Sequence, residues 1–212
     1  MYFIDRPAAG RLLAKKLAHY SDQSCAVLSV SPGGVLVGAQ VAMRLHCHLM
    51  LLMTESITLP GEHEAIGALT TKSFSYSDKL SESEINYING EFHNIIDGQR
   101  MTRQHSLNRL VTAETKISPN DLRDKVVVVV SDGFVDTLAL DVVEDFIKPI
   151  RIKRLIIAVP ITNVKALDKM HLLADELTVL SVREDIISID HHYEKNIVPD
   201  YDGLVKIIRN TA

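Results

Sequence analysis

The stretch KVVVVVSDGFVDTLALDVVEDFI, residues 125–147, decides the fold. Its five valines, 126–130, run without interruption. A short β-branched run with no polar alternation predicts a strand buried on both faces, the mark of a parallel sheet. The strand ends in the polar turn Ser131-Asp132-Gly133. A helical pattern follows, with Leu138, Val142, Val143, Phe146 and Ile147 on one side and Asp141, Glu144 and Asp145 on the other. In an open α/β sheet, ligands bind outside the carboxyl ends of the strands, where helix N-termini present free amides. Every strand-to-helix unit has such a turn and many are only connections, so both readings stand for this one.

The pattern extends outward in both directions. Upstream, CAVLSV at 25–30 predicts a second buried strand, followed by Ser31-Pro32-Gly33-Gly34 and a helix over 35–45. Paired glycines at such a turn serve either a close backbone approach to a ligand or a tight connection. Before it, Asp5 precedes a helix over 6–20, with Pro7 in the first turn where a missing N–H costs nothing. Residues 48–54 read as a strand, 54–64 as a loop around Pro60-Gly61, and 65–71 as a short strand containing Gly67. Downstream, RLIIAV at 154–159 is a strand ended by Pro160. A helix over 163–171, a strand over 177–182, an edge-like strand over 186–189, a turn with His191, His192 and Tyr193, and a last helix from about Asp202 complete the pattern.

Between the two halves lies a polar helical segment, 81–116. Ser81 with Glu84 forms a capping box. Ile85, Ile88, Phe92, Ile95 and Ile96 make an apolar stripe that Leu107, Leu110 and Val111 continue; Gly90 and Gly98 weaken it and allow a break near Gly98. Arg100, Arg103, His105 and Arg109 form either a solvated face or a cover over a site or a partner subunit. Ser118-Pro119-Asn120-Asp121 reads as a loop. With no repeat and no low-complexity linker, the expected organisation is a single domain, 1–212, carrying 81–116 as a hood.

The residues after the valine strand resemble the phosphoribosyl-pyrophosphate loop of type I phosphoribosyltransferases. The segments FIDRPAAGRLLAKKLA, SPGGVLVGAQVAMRL and LPGEHEAIGAL fall in the order found in a bacterial subgroup of that family, so the resemblance spans nearly the whole chain. It implies an α/β fold, a Rossmann-like, mostly parallel sheet with helices on both faces. It also implies Mg²⁺-dependent transfer of phosphoribosyl from phosphoribosyl pyrophosphate to a nitrogenous base in nucleotide metabolism. By position, Ser131 and Asp132 would take the place of the family's acidic pair, with Asp132 facing ribose or Mg²⁺. Gly133, Asp136 and Thr137 would hold the 5′-phosphate, and Gly33 and Gly34 the pyrophosphate. The departures fall on the same positions. Ser131 replaces one acid, and Asp136, Thr137, Leu138 and Ala139 stand where Thr-Gly-x-Thr would cradle phosphate. Pro32 replaces the arginine of Pro-Arg-Gly-Gly, and Glu55 and Ser56 replace an Arg-Lys pair. The lost cations are those that would neutralise departing pyrophosphate. Two functions therefore remain in view: a transferase of this class, and a degenerate member, a pseudoenzyme, that keeps the fold as a binding or assembly module.

Composition sets outer bounds. The chain has 212 residues, of which 46% are hydrophobic and 24% charged, enough for one domain with a proper core. A net charge of −4 gives no reason to expect nucleic acid or an anionic membrane as partner. Cys25 and Cys47 lack paired spacing and read as free thiols of a reducing compartment, so a cytoplasmic protein is expected. Phosphoribosyl pyrophosphate or another phosphorylated small molecule is the expected ligand, and a homodimer the expected assembly. His46, His48, His63, His191 and His192 reproduce no zinc motif. Asp132 with Asp136 could hold Mg²⁺, or could be two solvated acids near a helix N-terminus.

Overall fold

A computed structural model describes residues 2–62, 64–111 and 116–211. His63 lies outside the described residues. In chain order the elements are β1 (Phe3–Asp5), α1 (Arg6–Lys16), β2 (Cys25–Ser29), α2 (Pro32–Leu45), β3 (His48–Leu51), β4 (Glu55–Thr58), β5 (Ala65–Leu69), β6 (Phe74–Tyr76) and α3 (Glu82–Leu110). There follow α4 (Pro119–Leu122), β7 (Val126–Val130), α5 (Leu138–Ile147), β8 (Arg154–Asn163), α6 (Val164–Leu173), β9 (Glu176–Arg183), β10 (Tyr193–Lys195) and α7 (Tyr201–Thr211).

The valine strand sits in the middle. β3-β2-β7-β8-β9 form an all-parallel sheet, with Ser29 opposite Val130 and Val130 opposite Ala158. Because side chains alternate along a strand, the run feeds two cores. Val126, Val128 and Val130 pack with residues of α1, α2 and α7 on one face. Val127 and Val129 pack with Leu140, Val143, Ala166 and Met170 of α5 and α6 on the other. This is why the sequence shows an unbroken apolar run rather than alternation. The expected architecture, a parallel sheet covered on both faces, is the one observed. The chain leaves β2 through α2 toward one edge and leaves β7 through α5 toward the other. The topological switch point, where a crevice opens, therefore lies between the carboxyl ends of these two strands.

The hood is larger than the sequence pattern indicated. Its helix α3 runs 29 residues without a break at Gly98, and Ser81 and Glu84 form the expected capping box. Beneath it lies a three-stranded antiparallel sheet, β4-β5-β6, so the expected loop over 54–64 contains a strand. Ile57, Ile66 and Leu69 of this sheet pack against Ile88, Ile96 and Leu107 of α3.

Several local expectations are corrected. Pro160 does not end β8, which continues to Asn163. Pairing with β7 stops at Ala158 and bonding on that side resumes only where Phe134 bridges Thr162, so no neighbour calls for an N–H at position 160 and a proline is tolerated. Residues 118–121 form the cap and turns of short α4 rather than a plain loop, with Ser118 and Asp121 in a capping box. No strand forms over 186–189. Instead β10 pairs in parallel with β1, Phe3 opposite Tyr193 and Asp5 opposite Lys195.

Candidate functional site

The switch point brings Gly33, Gly34, Ser131, Asp132 and Gly133 together. Ser31 starts α2 as its N-cap, its hydroxyl accepting from the Gly34 N–H at 2.9 Å. The same hydroxyl donates to Asp132 Oδ1 at 2.7 Å and lies 3.2 Å from Ser131 Oγ. Ser131 turns inward, donating to the Gly133 carbonyl at 2.9 Å. Both members of the predicted acidic-pair position are buried.

The residue that completes the network is Arg6. The β1–β10 pairing carries it across the carboxyl end of the sheet. Its Nε donates to Asp132 Oδ2 at 2.7 Å, its Nη1 to the Asn196 carbonyl at 3.1 Å, and its Nη2 to Asp190. The Arg6 and Asp132 side chains are 3% and 8% exposed, so the pair is closed off from water. Tyr193 lies under the guanidinium, 4.7 Å from its ring centroid, and its hydroxyl donates to the Asp132 carbonyl at 2.6 Å. Burial works against the Arg6 charge, but its hydrogen bonds to Asp132 and Asp190 outweigh it and raise the pKa. Burial, followed by the Asp132 charge, pushes the Tyr193 phenol up, so it remains a neutral donor.

The glycines are explained by this packing. A Cβ at Gly33 would overlap Asp132 Oδ2 and come within 2.5 Å of Arg6 Nε. A Cβ at Gly34 would meet Ser29 Oγ at 2.7 Å and Ser31 Oγ at 2.8 Å. The close approach that a glycine turn permits is made here by the protein's own side chains.

Asp136 and Thr137 stand apart from this cluster, at the N-terminus of α5. Asp136 is exposed and its Oδ1 accepts from the Leu138 N–H at 3.0 Å. Thr137 donates to Asp78 Oδ1 at 3.2 Å. Asp78 belongs to the segment between β6 and α3, so two of the chain's own carboxylates occupy the end of α5 where an anion would be favoured. Lys169 of α6 neutralises this corner. Its ammonium lies 3.0 Å from Asp78 Oδ2, 3.0 Å from Asp141 Oδ1 and 3.2 Å from Glu144 Oε2. Burial opposes the Lys169 charge, but the hydrogen bonds to Asp78 and Asp141 outweigh it and raise its pKa. Asp78 feels burial as well, yet its bond to Lys169 holds its carboxyl below the ordinary 3.8. Asp141 is pushed up by burial, which Lys169 offsets only in part.

A Mg²⁺ ion does not fit these residues. Both oxygens of Asp132 are engaged, and the cation beside it is a guanidinium. Asp136 is turned to the α5 backbone. Among the described residues no group of three histidine, cysteine or acidic side chains could hold a metal ion.

Arg6, Asp190 and the role of Tyr193 were not legible in the sequence. The N-cap Asp5, whose carboxylate accepts from the Ala8 N–H, offsets a cation in the first turn of α1, so no local feature singles out Arg6.

No protein-family model matches the chain. Among solved structures, the protein TT1426 from Thermus thermophilus overlays with a TM-score of 0.77 at 22% identity, covering 100% of both chains. The likeness establishes a shared fold over the full length. A purine phosphoribosyltransferase from Pyrococcus horikoshii overlays with a TM-score of 0.45 at 16% identity, covering 83% of this chain and 81% of its own. A hypoxanthine phosphoribosyltransferase from Staphylococcus aureus gives 0.47 at 11% identity, covering 87% and 78%. Overlays this loose bear on nothing beyond general architecture.

Proposed function

We propose that this chain is a phosphoribosyltransferase-like protein that has lost transferase chemistry and serves as a binding module. The observation that carries the reading is the Asp132 carboxylate. In a working site it would be free for ribose hydroxyls or metal. Here Arg6 and Ser31 take its two oxygens at 2.7 Å each, in a pair almost wholly removed from water. Opening that pair would leave a buried charge without its partner, a cost of about 3–5 kcal/mol. A ligand would have to meet that cost before gaining anything from the glycine turn. The α5 N-terminus supports the same reading, because the Asp136 carboxylate already accepts from the Leu138 N–H there and Asp78 adds a second negative charge nearby.

The test is calorimetric titration of phosphoribosyl pyrophosphate with Mg²⁺, at two temperatures so that a near-zero enthalpy does not hide binding, alongside a pyrophosphate-release assay with the common bases. Neither binding nor turnover is expected. Release of pyrophosphate that disappears in Asp132→Asn would restore the enzyme reading, with Asp132 as the ribose-facing acid and Gly33, Gly34, Gly133 and Thr137 as the phosphate-binding set.

A further inference from the structure

Helix α3 turns Ile88, Ile96 and Leu107 to the hood sheet and its opposite face to solvent. On that outer face Tyr87, Asn94 and Met101 recur every seven residues, with Glu91 and His105 in the row beside them. Tyr87 is 64% exposed and Met101 65%. A seven-residue repeat is the spacing that keeps one side of a helix against another helix. The charges of α3 are sorted along its length. Residues 82–97 carry Glu82, Glu84, Glu91 and Asp97 and no lysine or arginine. Residues 98–110 carry Arg100, Arg103 and Arg109 and no acid. Matching to the helix dipole accounts for Glu82, Glu84 and Arg109 alone, because that effect fades within the first and last turns. Within the hood, Arg100 pairs with Asp97 and Arg103 with Glu55. Glu91 stands on the outer face. The outcome is a helix negative over one half and positive over the other.

We propose that two copies of the chain associate through this face, their α3 helices lying antiparallel across a two-fold axis. A two-fold contact is self-complementary: where residue i meets residue j, j also meets i. A helix charged oppositely in its two halves satisfies that condition when antiparallel, each acidic half lying along the partner's basic half. A parallel pairing would set like charges side by side and is disfavoured. Full overlap over residues 82–110 places the axis beside Ile96. Tyr87 then faces His105 of the partner subunit. Glu84 comes level with the partner's Arg109, and Glu91 with the partner's Thr102. Glu84 keeps its bond from the Ser81 N–H, since a carboxylate accepts more than one. The strip is about 43 Å long and about 10 Å wide, smaller than the roughly 800 Å² per partner of a standard interface. The dimer is therefore weak, concentration-dependent and sensitive to salt. This surface is independent of what the crevice binds.

Sedimentation velocity of the full chain over a concentration series reads the assembly. A monomer–dimer equilibrium is expected, weakened at least about threefold when salt rises from about 0.05 to about 0.5 M. Glu91→Lys should weaken it at least about fivefold, since an exposed charge contributes modestly but its reversal counts twice across the axis. Adding Thr102→Glu to that variant should restore association, because opposite charges then face each other at the same two places. Thr102→Lys alone sets a cation level with the partner's Glu91 and should tighten the dimer at least about threefold. That gain cannot come from misfolding, and both positions are exposed, so circular dichroism spectra should match that of the unaltered chain. A chain that stays monomeric at every concentration would overturn the proposal. So would a dimer indifferent to salt and to these substitutions, or one that Thr102→Lys loosens.

Discussion

Arg6 shows how one side chain changes what a turn can do. Strand, turn and helix present Asp132 at the place where ligands bind in α/β proteins. The guanidinium arriving from the N-terminal end of the chain converts it into half of a buried ion pair. Such pairs contribute little net stability when intact, but removing one partner is costly. Arg6→Met should therefore destabilise the protein by about 3–5 kcal/mol in urea denaturation, because Asp132 is left charged and enclosed. The double variant Arg6→Met, Asp132→Asn should recover part of the loss. Full stability of the single variant would mean that the pair is open to water in solution. Nothing in residues 1–10 read alone pairs Arg6 with Asp132, since the partners are 126 positions apart.

At the scale of elements, α3 is the expected helix without the break that its glycines allowed. Its buried positions, Ile88, Ile96 and Leu107, lie on the face turned to the β4-β5-β6 sheet, and that contact carries the helix through two glycines. Gly90 and Gly98 have nothing within 4 Å of where a Cβ would stand. Their cost is then the intrinsic one, about 1 kcal/mol relative to alanine. Gly98→Ala should raise stability by about that amount, read as a higher midpoint in thermal unfolding monitored by circular dichroism. No gain, or a loss, would show that the helix bends or is contacted at that position. The stripe at 85–96 was visible in the sequence, as was the cap at Ser81. The strand β4 was not, because ESIT is too short and too polar to stand out from a loop.

For the whole molecule, the question is what holds the hood to the core. Lys169 gathers Asp78 from the hood side and Asp141 and Glu144 from α5, so three stretches of chain meet on one ammonium. The signs for pH follow from the shifts. The Lys169 pKa is raised above 10.5, so its contribution is complete below that value and is lost only as the pH climbs through the higher folded-state value. The Asp78 carboxyl is held below 3.8, so its contribution is present above that value and is lost as the pH falls through the lower folded-state value. Lys169→Met should therefore lower stability by about 1–2 kcal/mol, nearly constant between pH 5 and 9 (on the order of a hydrogen-bonded charge). It should also raise amide exchange around Asp78 before that of the central sheet. A loss that varied strongly within that pH range would point to Asp141, whose carboxyl burial pushes up.

By itself the sequence determined the layered α/β core. An unbroken run of valines can be accommodated only where both faces of a strand are covered, and the strand and helix periods around it leave one architecture open. It also marked the positions that depart from the motifs of the family it resembles, since replacement of cations and phosphate-cradling hydroxyls is a matter of residue identity. Tertiary structure decided what fills those positions. Arg6 meets Asp132 because β1 pairs with β10, and Asp78 meets Lys169 because the hood folds back on α5. Each is a contact between segments far apart in the chain, made by side chains whose local patterns carry no trace of their partners.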